Sequence, residues 1–590
     1  MDSKKLCPFK EKCYRKNPIH FEEMSHPHLE KLLNGQLTGD INLPPDLEFD
    51  CPDRSELVDQ LKVLQLTLRK KKPSENPSAV IETKQALKRV SEPSTSSATK
   101  KSKESSSPKK TSSKESLPAG KSIFDAFNSC TADKARIEVR NNAIERMQKA
   151  GQQVPHLEPI GQFDLKYALS APYHLFLACV QKVPETWSQP YSVTFPEILD
   201  ISLGTIEESL HFNFMVDVGW LCLQYLFAGQ KADSQIFLGS RCDDIPLPSN
   251  IKTIKIETPT AFGTHHSKVS VLKYTNGGAR VVVSTANLYS DDWDNRTQAV
   301  WISPHLPKLT DESNSSGEAP TGFKRDFIDY LREYKNPALD KWISLLQTLD
   351  FSSVNVCFVA SVPGTHRNAA RGRWGLRKLA SILSEHADPP AEAAQWPIVA
   401  QASSIGSLGP NYDAWLTREF VPAMASLKSQ GLRSAPNFKF VYPSINNFKD
   451  SFDMRVGCCC LPYSKRVHDK QPWLNKYLYQ WKAGNKSRNR AIPHSKTYIR
   501  LSPDLKKVPW AVVTSGNLSK AAWGYGQTST TILNYEVGVV FLPKFLFKAK
   551  TIPIKEQDDQ GNPVFPLPYD LPLTPYASDD EPFVMEFFNV

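Results

Sequence analysis

Long apolar runs are missing from this sequence. Its most apolar stretch, residues 212–227, is interrupted by Asp217 and Gln224, whereas a membrane-spanning helix needs about 18 apolar residues without a break. The first residues are polar and contain a Cys/His pattern, where a secretory signal would have an apolar core. These absences predict no membrane association and no secretion signal, and they make residues 212–227 a core helix.

Cysteine is too sparse for a scaffold held together by disulfides. The chain has 11 cysteines among 590 residues, an odd number without the spacing of a small secreted domain. Disulfides are rare in reducing compartments, where thiols stay free. The composition therefore predicts a reducing, intracellular environment.

Aspartate is absent from residues 69–121, where 14 Lys and Arg stand against five Glu. This segment carries nearly all of the net charge of +10, so the rest of the chain must bind any anion through a local patch. Ser, Lys and Pro dominate this segment, which cannot bury enough apolar surface to fold. Residues 31–120 are therefore predicted to be mostly a disordered linker, with a short helix suggested over 53–68. The basic pairs at 100–101 and 109–110 fit either a nuclear import signal or a solvated spacer.

Beyond residue 121 the composition changes to that of a globular body. Runs of β-branched residues, such as 280–285 and 511–514, alternate with amphipathic stretches, such as 323–334. This alternation predicts an α/β fold in which helices cover a sheet. The first half is placed at residues 121–348 and the second half at 349–590.

The strongest signal in the sequence is a repeat. The tripeptide His-Ser-Lys occurs at 266–268 and again at 494–496, and an apolar run ending in Asn-Leu follows each copy. The histidine precedes its asparagine, Asn287 or Asn517, by 21 residues in one copy and 23 in the other. Six residues after each asparagine stands a tryptophan, Trp293 or Trp523, which we interpret as core packing. The repeat predicts one catalytic half-site built twice, with the two halves facing each other across a substrate.

Each copy combines an imidazole, an ammonium group and an amide. On a strand, His and Lys two residues apart point to the same face. Lys268 and Lys496 can neutralise phosphate oxygens, while Asn287 and Asn517 can donate hydrogen bonds to them. A metal site would need more Cys, His or carboxylate ligands, so this set predicts metal-free chemistry at phosphorus. One histidine would attack and the other, protonated, would donate to the leaving oxygen, but the symmetry leaves open which does which.

A polar residue stands before an apolar strand downstream of each asparagine. Gln298 follows Asn287, and Glu536 follows Asn517. Each fits a partner that holds an imidazole in one tautomer, or alternatively an ordinary strand-end residue. Because Glu raises the basicity of its histidine more than Gln does, the pair predicts two imidazoles of different basicity.

The duplicated His-x-Lys with a downstream Asn resembles the phospholipase D superfamily. The superfamily motif usually continues to an Asp a few positions after the Lys, and this Asp is absent here. In lacking this Asp, the sequence is similar to the eukaryotic tyrosyl-DNA phosphodiesterases that act at DNA 3′ ends. Further similar segments are 261–268, 403–409 and 514–524. The resemblance covers about residues 150–590. It implies two phospholipase D-like halves, each a mixed β-sheet flanked by helices, with the active site between them.

The resemblance also implies a two-step reaction in DNA repair. His266 would be the nucleophile that attacks the phosphodiester between a DNA 3′ end and a topoisomerase tyrosine, forming a phosphohistidine. His494 would act as the general acid and then as the base that activates water, leaving a 3′-phosphate. No cofactor would be needed. The implied catalytic residues are His266, His494, Lys268, Lys496, Asn287, Asn517, Gln298 and Glu536.

Four DNA contacts follow from the same resemblance. Phe262 would stack on a base, with core packing as the alternative. Ser404 and Ser407, flanked by glycine, would bind the phosphate backbone or merely form a turn. Ser519 fits a DNA contact and a helix cap equally well. Phe214 stands where the family often has Tyr, and it is not included in the predicted site.

Within a module predicted at residues 1–30, residues 7–26 contain two Cys and two His in a spacing that suits tetrahedral zinc. The predicted ligands are Cys7, Cys13, His20 and His26. The pattern resembles the poly(ADP-ribose)-binding zinc finger, although Lys10 replaces the usual Gly and His28 is an alternative ligand. The resemblance implies a structural zinc, with Tyr14 stacking on adenine and Arg15 pairing with pyrophosphate. A purely structural zinc knob and an incidental Cys/His cluster are the alternatives.

Together these features predict a monomeric DNA end-cleaning enzyme that its zinc finger recruits to damage. Its partners would be topoisomerase-linked 3′ ends, single- and double-stranded DNA, and poly(ADP-ribose), and its location the nucleus, with the cytoplasm open as a second place. A lipase or general nuclease of the same superfamily is disfavoured by the missing Asp. A non-catalytic poly(ADP-ribose)-binding scaffold is disfavoured because both half-sites are complete.

Overall fold

The structure is a computed structural model that describes residues 5–7, 21, 24–33, 41, 43–49, 54–71, 131–243, 245–260, 262–310, 315–428, 436–457 and 459–589. These residues form two compact units, one holding the described residues up to Ala135 and the other those from Arg136 onward. Among the helices described, none has both the length and the hydropathy required to cross a membrane.

The first unit is built from a short ladder and helices. Strand β1 (Lys5–Leu6) pairs in parallel with β2 (Met24–Ser25), and α1 (Pro27–Leu33) and α2 (Arg54–Lys71) follow. The division predicted at residue 30 therefore falls inside α1, and α2 lies where the sequence suggests a helix over 53–68. Helix α2, which lies in the predicted linker, supplies half of the core because three of its leucines share one face. The buried core side chains are Phe21, Leu29, Leu33, Leu57, Leu61 and Leu64.

Helix α3 (Thr131–Lys149) leads into the first half of the larger unit. Eight strands form its sheet in the order β4-β3-β10-β9-β8-β5-β6-β7. The strands are β3 (Leu175–Ala178), β4 (Ser192–Val193), β5 (Ile206–Val216), β6 (Asp233–Arg241), β7 (Ile251–Lys255), β8 (Val269–Tyr274), β9 (Ala279–Ser284) and β10 (Ala299–Ile302). The helices are α4 (Phe163–Leu169), α5 (Phe195–Ile198), α6 (Val218–Phe227), α7 (Ser290–Asp294), α8 (Phe323–Arg332) and α9 (Asp340–Gln347).

The prediction of one helix over residues 212–227 is wrong at its beginning. Strand β5 continues to Val216, and α6 begins only at Val218. The side chain of Asp217 accepts a hydrogen bond from the Trp220 N–H (2.8 Å) and so caps the helix. The polar residue that interrupts the apolar run is therefore the boundary between two elements.

The second half contains a seven-stranded sheet in the order β11-β20-β18-β16-β13-β14-β15 and two short ladders, β12-β19 and β17-β21. Its strands are β11 (Cys357–Ser361), β12 (Gly364–His366), β13 (Ile398–Gln401), β14 (Phe438–Val441), β15 (Leu478–Tyr479), β16 (Thr497–Arg500), β17 (Lys507–Val508), β18 (Ala511–Thr514), β19 (Thr530–Ile532), β20 (Glu536–Phe541) and β21 (Ile552–Pro553). Its helices are α10 (Gly375–His386), α11 (Val421–Met424), α12 (Ile445–Lys449), α13 (Phe452–Arg455), α14 (Lys465–His468), α15 (Lys520–Trp523) and α16 (Pro543–Leu546).

The repeat in the sequence is matched by a repeat in the sheets. Seven strands of the first sheet, β3-β10-β9-β8-β5-β6-β7, stand in the same spatial order as β11-β20-β18-β16-β13-β14-β15. In each half the strand after His-Ser-Lys pairs antiparallel with the strand that leads to the asparagine. Both sheets mix parallel and antiparallel pairs and carry helices. The predicted α/β class with two similar halves is confirmed.

The two halves share one hydrophobic core. Side chains alternate along β9, so Val281 and Val283 enter this shared core while Val282 packs on the opposite face of the sheet. The shared core joins Trp301 of the first half to Phe358 of the second. Since both faces of the sheets are buried, the strands read as continuous apolar runs.

Candidate active site

Both His-Ser-Lys segments lie immediately before a strand and not within it, since β8 begins at Val269 and β16 at Thr497. Each segment pairs with the opposite half. The His266 N–H donates to the Tyr535 carbonyl (2.9 Å), and the His494 N–H donates to the Thr297 carbonyl (2.9 Å). We call these two short pairings between the halves the crossed ladders. They bring the start of β20 next to His266 and the start of β10 next to His494.

The neighbours of His266 anchor its segment in the core. His265 points away from the site, with its Nδ1 3.1 Å from the Asn213 carbonyl and its Nε2 2.9 Å from the Tyr334 hydroxyl. The Ser267 hydroxyl lies 2.5 Å from that of Tyr330. Because buried hydrogen bonds are costly to break, these contacts limit the movement of the backbone at His266.

Glu536 of the second half fixes the first imidazole. His266 Nδ1 donates to Glu536 Oε2 (2.8 Å). The carboxylate also accepts from Ser515 Oγ (2.6 Å) and Asn534 Nδ2 (2.9 Å), so it is held in place. This arrangement leaves Nε2 of His266 as the nitrogen with a lone pair for an electrophile.

Burial and charge keep His266 neutral. Burial lowers the pKa of the imidazole, and the charges of Lys268 and Lys496 act in the same direction against the opposing effect of Glu536. For Glu536, burial favours the neutral form, but His266 and the hydrogen bonds lower the pKa of the carboxyl below its ordinary value. The pair is therefore a neutral imidazole beside a carboxylate.

The second imidazole has two partners. Gln298 Nε2 lies 3.0 Å from His494 Nδ1, and Asp292 Oδ2 lies 3.2 Å from the same atom. Our interpretation of Gln298 and Glu536 therefore misses a residue, because a carboxylate contacts each ring. Aligning the two copies of the repeat reveals the difference, since Asp292 and Ala522 occupy the same position five residues after the asparagine.

Asp292 belongs to a buried ionic network that joins the two halves. Its Oδ2 accepts from the Asn287 N–H (2.6 Å), and its Oδ1 is paired with the Arg296 guanidinium. Arg296 Nε donates to Asp453 of the second half (3.0 Å). Although burial favours the neutral acid, the contact with His494, the charge of Arg296 and the Asn287 N–H hold the pKa of Asp292 well below its usual range. The carboxylate is ionised whenever the protein is folded at ordinary pH.

The two lysines are buried and act across the halves. Burial lowers the pKa of Lys268 to about 8, and burial together with the Lys268 charge lowers the pKa of Lys496 to about 7. Burial lowers the pKa of His494 to about 3; Asp292 opposes this, and the charges of both lysines reinforce it. The charge of each lysine thus lowers the pKa of a group in the opposite half-site, which is expected of two half-sites that meet at one centre.

Anion binding at this centre should weaken with rising pH. A lysine is charged below its pKa, so affinity for sulfate is expected to be greatest below about pH 7 and to fall at least about tenfold by about pH 9. Calorimetric titration with sulfate, whose charge is constant in this range, measures the effect. Lys496→Met should remove the component near pH 7. A pH-independent affinity of the unsubstituted protein would contradict the lysine pKa values.

The two asparagine amides are held differently. Asn517 Oδ1 accepts from the N–H and the hydroxyl of Ser403 (both 3.2 Å), so its Nδ2 is left to donate to a ligand. Asn287 is buried, and in the described part of the chain its Oδ1 has no hydrogen-bond partner. Ser403 is a positioning residue that the motif does not predict, because it contacts Asn517 only through the fold.

All four predicted DNA contacts are at least partly exposed to solvent. Phe262 is 85% exposed, which excludes the core-packing alternative. Ser404 is half-buried and Ser407 is exposed, on a loop whose Gly406 N–H donates to the Leu518 carbonyl (2.9 Å) beside Asn517. Ser519 Oγ accepts from the Ala522 N–H (3.1 Å) and so caps α15, as one of its two interpretations proposed.

Phe214 also lies at the site, although it is not included in the prediction. Its ring centroid is 5.6 Å from that of His266 and 5.8 Å from Lys268 Nζ. An aromatic face near an ammonium group is favourable, so the Phe214 ring can stabilise Lys268 and pack against His266. It does so without the hydroxyl that a Tyr would have at this position.

Of the predicted zinc site, Cys7 and His26 are described and buried. The Cys7 N–H donates to the Ser25 carbonyl (3.0 Å), so the β1-β2 pairing brings the backbone of Cys7 next to Ser25, the residue before His26. His28 packs its ring against Phe49 at a centroid distance of 5.3 Å. Cys13, Tyr14, Arg15 and His20 lie outside the described residues, so their roles stay predictions.

Comparisons with known proteins agree with both parts of the chain. A family model described as tyrosyl-DNA phosphodiesterase matches residues 174–577, and one described as the PBZ domain matches residues 4–29. Tyrosyl-DNA phosphodiesterase 1 of Drosophila melanogaster is 41% identical over 99% of this chain and all of its own length. A probable tyrosyl-DNA phosphodiesterase of Caenorhabditis elegans is 33% identical over 64% of this chain and 81% of its own.

A solved structure shares the fold. The crystal structure of the yeast tyrosyl-DNA phosphodiesterase superposes with a TM-score of 0.52 and 21% identity, covering 70% of this chain and 99% of the yeast chain. Its likeness supports the two-half architecture described above.

Proposed function

Because this chain belongs to the tyrosyl-DNA phosphodiesterase family, we propose that it is a DNA repair hydrolase that cleaves the bond between a DNA 3′ end and a tyrosine. The repeated motif predicts the same family. The observation that carries the mechanism is the pair of histidines whose Nδ1 atoms are held from the opposite half. Their Nε2 atoms are left for the reacting phosphorus and the leaving oxygen.

In the first step His266 Nε2 attacks phosphorus. A P–N bond forms as the P–O bond to tyrosine breaks, and the electron pair of that bond goes to the phenolic oxygen. His494, as an imidazolium, gives its Nε2 proton to this oxygen, so tyrosine leaves neutral. The ionised Glu536 stabilises the positive charge that the phosphorylated His266 ring gains.

In the second step His494, now neutral, takes a proton from water while the water oxygen bonds to phosphorus. The P–N bond breaks, its electron pair returns to Nε2 of His266, and DNA with a 3′-phosphate is released. Both rings then return to their starting protonation states, so the cycle is balanced without a cofactor.

Lys268 and Lys496 would hold the non-bridging oxygens, and the Asn287 and Asn517 amides would donate to them as charge builds at phosphorus. The bound phosphodiester also offsets the two lysine charges that lower the pKa of His494. Substrate binding therefore favours the imidazolium that the first step needs.

Outside the centre, DNA would be bound by groups that the structure leaves accessible. Phe262 is exposed enough to stack on a base. Ser404 and Ser407 would contact the phosphate backbone from the loop beside Asn517. Single- and double-stranded 3′ ends are the proposed substrates, with a topoisomerase peptide on the far side of the phosphorus.

The zinc finger would bring the enzyme to damaged DNA in the nucleus. The PBZ match supports four ligands, Cys7, Cys13, His20 and His26, around a structural zinc. Tyr14 and Arg15 would bind poly(ADP-ribose) through stacking and a charged pair with pyrophosphate.

Chelation should separate the two parts of the protein. Removing zinc is expected to weaken poly(ADP-ribose) binding, because a small zinc module needs the metal to fold. Cleavage of an oligonucleotide carrying 3′-phosphotyrosine should continue unchanged in EDTA, since lysines and asparagines grip the phosphate. The assay follows release of tyrosine and binding of labelled poly(ADP-ribose) in the same samples. Loss of cleavage in EDTA would refute the proposed chemistry, and absence of cleavage without EDTA would refute the proposed function.

A further inference from the structure

His494 has two Nδ1 neighbours of opposite hydrogen-bonding character. Asp292 Oδ2, at 3.2 Å, can only accept because it is ionised, whereas Gln298 presents an amide nitrogen, at 3.0 Å, that can only donate. The two contacts therefore require different positions of the imidazole proton.

The orientation of the Gln298 amide is set by its other contacts. Its Nε2 also donates to the Asp292 carbonyl (3.0 Å), which has no proton to give, and its Oε1 accepts from Thr285 Oγ1 (2.8 Å). Gln298 consequently pairs only with a ring that has no proton on Nδ1. Such a ring carries its proton on Nε2 and cannot take another from water there.

The Asp292 contact favours the two forms that the reaction uses. A carboxylate accepts a hydrogen bond from Nδ1–H, which is present in the imidazolium and in the neutral tautomer with a free Nε2 lone pair. The Asn287 N–H and Arg296 hold this carboxylate in place. Among the described residues, Lys268 and Lys496 also act on His494, and the charges of both disfavour the imidazolium.

We propose that Asp292 is the positioning residue that keeps the proton on Nδ1 of His494, so that Nε2 can first give and then take a proton. The ring exchanges its Gln298 contact for the Asp292 contact when it is protonated. This inference rests on the proposed role of His494 as general acid and base. It assigns to the buried network a task in the reaction beyond joining the halves.

Asp292→Asn tests the proposal because an amide replaces the carboxylate at nearly the same size. In single-turnover experiments with a 3′-phosphotyrosyl oligonucleotide, formation and breakdown of the covalent adduct are timed separately across pH. Breakdown is expected to slow by about 10²-fold, and more than formation, because water activation depends on a basic Nε2. The pH dependence of breakdown should shift as well.

Asp453→Asn is the matched control. It removes the other carboxylate from Arg296 but leaves Asp292 against His494, so it should change thermal stability without changing the ratio of the two steps. Equal slowing of both steps in Asp292→Asn, or the same ratio as in Asp453→Asn, would overturn the proposal and leave Asp292 a structural residue.

If Asp292→Asn does not fold, Asp292→Glu is measured in its place. This variant keeps the charge but shifts the carboxylate by one methylene from Nδ1, so breakdown should again slow more than formation, and an equal effect overturns the proposal. A protein without substitutions that forms no adduct would instead refute the two-step function itself, which keeps the two failures distinct.

Discussion

Replacing His266 with alanine is expected to lower turnover of a 3′-phosphotyrosyl oligonucleotide by at least about 10⁴-fold. His266 is the residue proposed to form the P–N bond, and removing the nucleophile of a covalent mechanism can cost up to about 10⁶-fold in kcat. Because Glu536 would be left buried without the ring, thermal unfolding is measured alongside. Multiple-turnover release of tyrosine gives the rate.

His366→Ala is the matched control for this experiment. His366 lies outside the site, where its Nε2 bonds to the Val362 carbonyl (2.8 Å), so the variant should keep nearly full activity. A folded His266→Ala protein with activity within tenfold of the unsubstituted chain would disprove the assignment of the nucleophile.

Replacing His494 with asparagine is expected to trap the reaction midway. A phenol, with a pKa of about 10, can leave without much help, whereas water is a poor nucleophile without a base. Formation of the phosphohistidine should therefore slow less than its breakdown, which should fall by about 10² to 10⁴-fold. Mass spectrometry of the protein after incubation should find DNA attached to His266.

The double variant His266→Ala, His494→Asn serves as its control and should form no adduct. Residue 494 has no imidazole in the single variant, so it cannot carry the adduct. DNA attached to any side chain other than His266 would therefore contradict the assignment of His266 as the nucleophile. Complete absence of adduct, with product formed at a normal rate, would remove His494 from the second step.

Much of this site is predictable from sequence because its residues belong to a short repeated motif. His266, Lys268 and Asn287 have counterparts at nearly the same spacing in the second half, and this spacing reflects the strands that lead from the histidine to the asparagine. The alternation of apolar runs likewise predicts the α/β class. These features are local, so the sequence expresses them directly.

The parts that escape prediction depend on contacts between distant segments. Asp292 alone looks like an acidic residue in the first turn of a helix, and only the fold brings it to His494, 202 residues later. Ser403 meets Asn517 in the same way. In the first unit the sequence suggests a helix over residues 53–68, but only the structure shows that α2 packs into a core.

The crossed ladders have a consequence for how such a protein can be divided. A polypeptide ending near residue 348 would keep His266 but lose Glu536, and the remainder would keep His494 but lose Asp292 and Gln298. Neither fragment would own a complete proton-handling unit. The two halves thus behave like two covalently linked subunits. A substitution that removes the partner residue in one half disables the histidine of the other half.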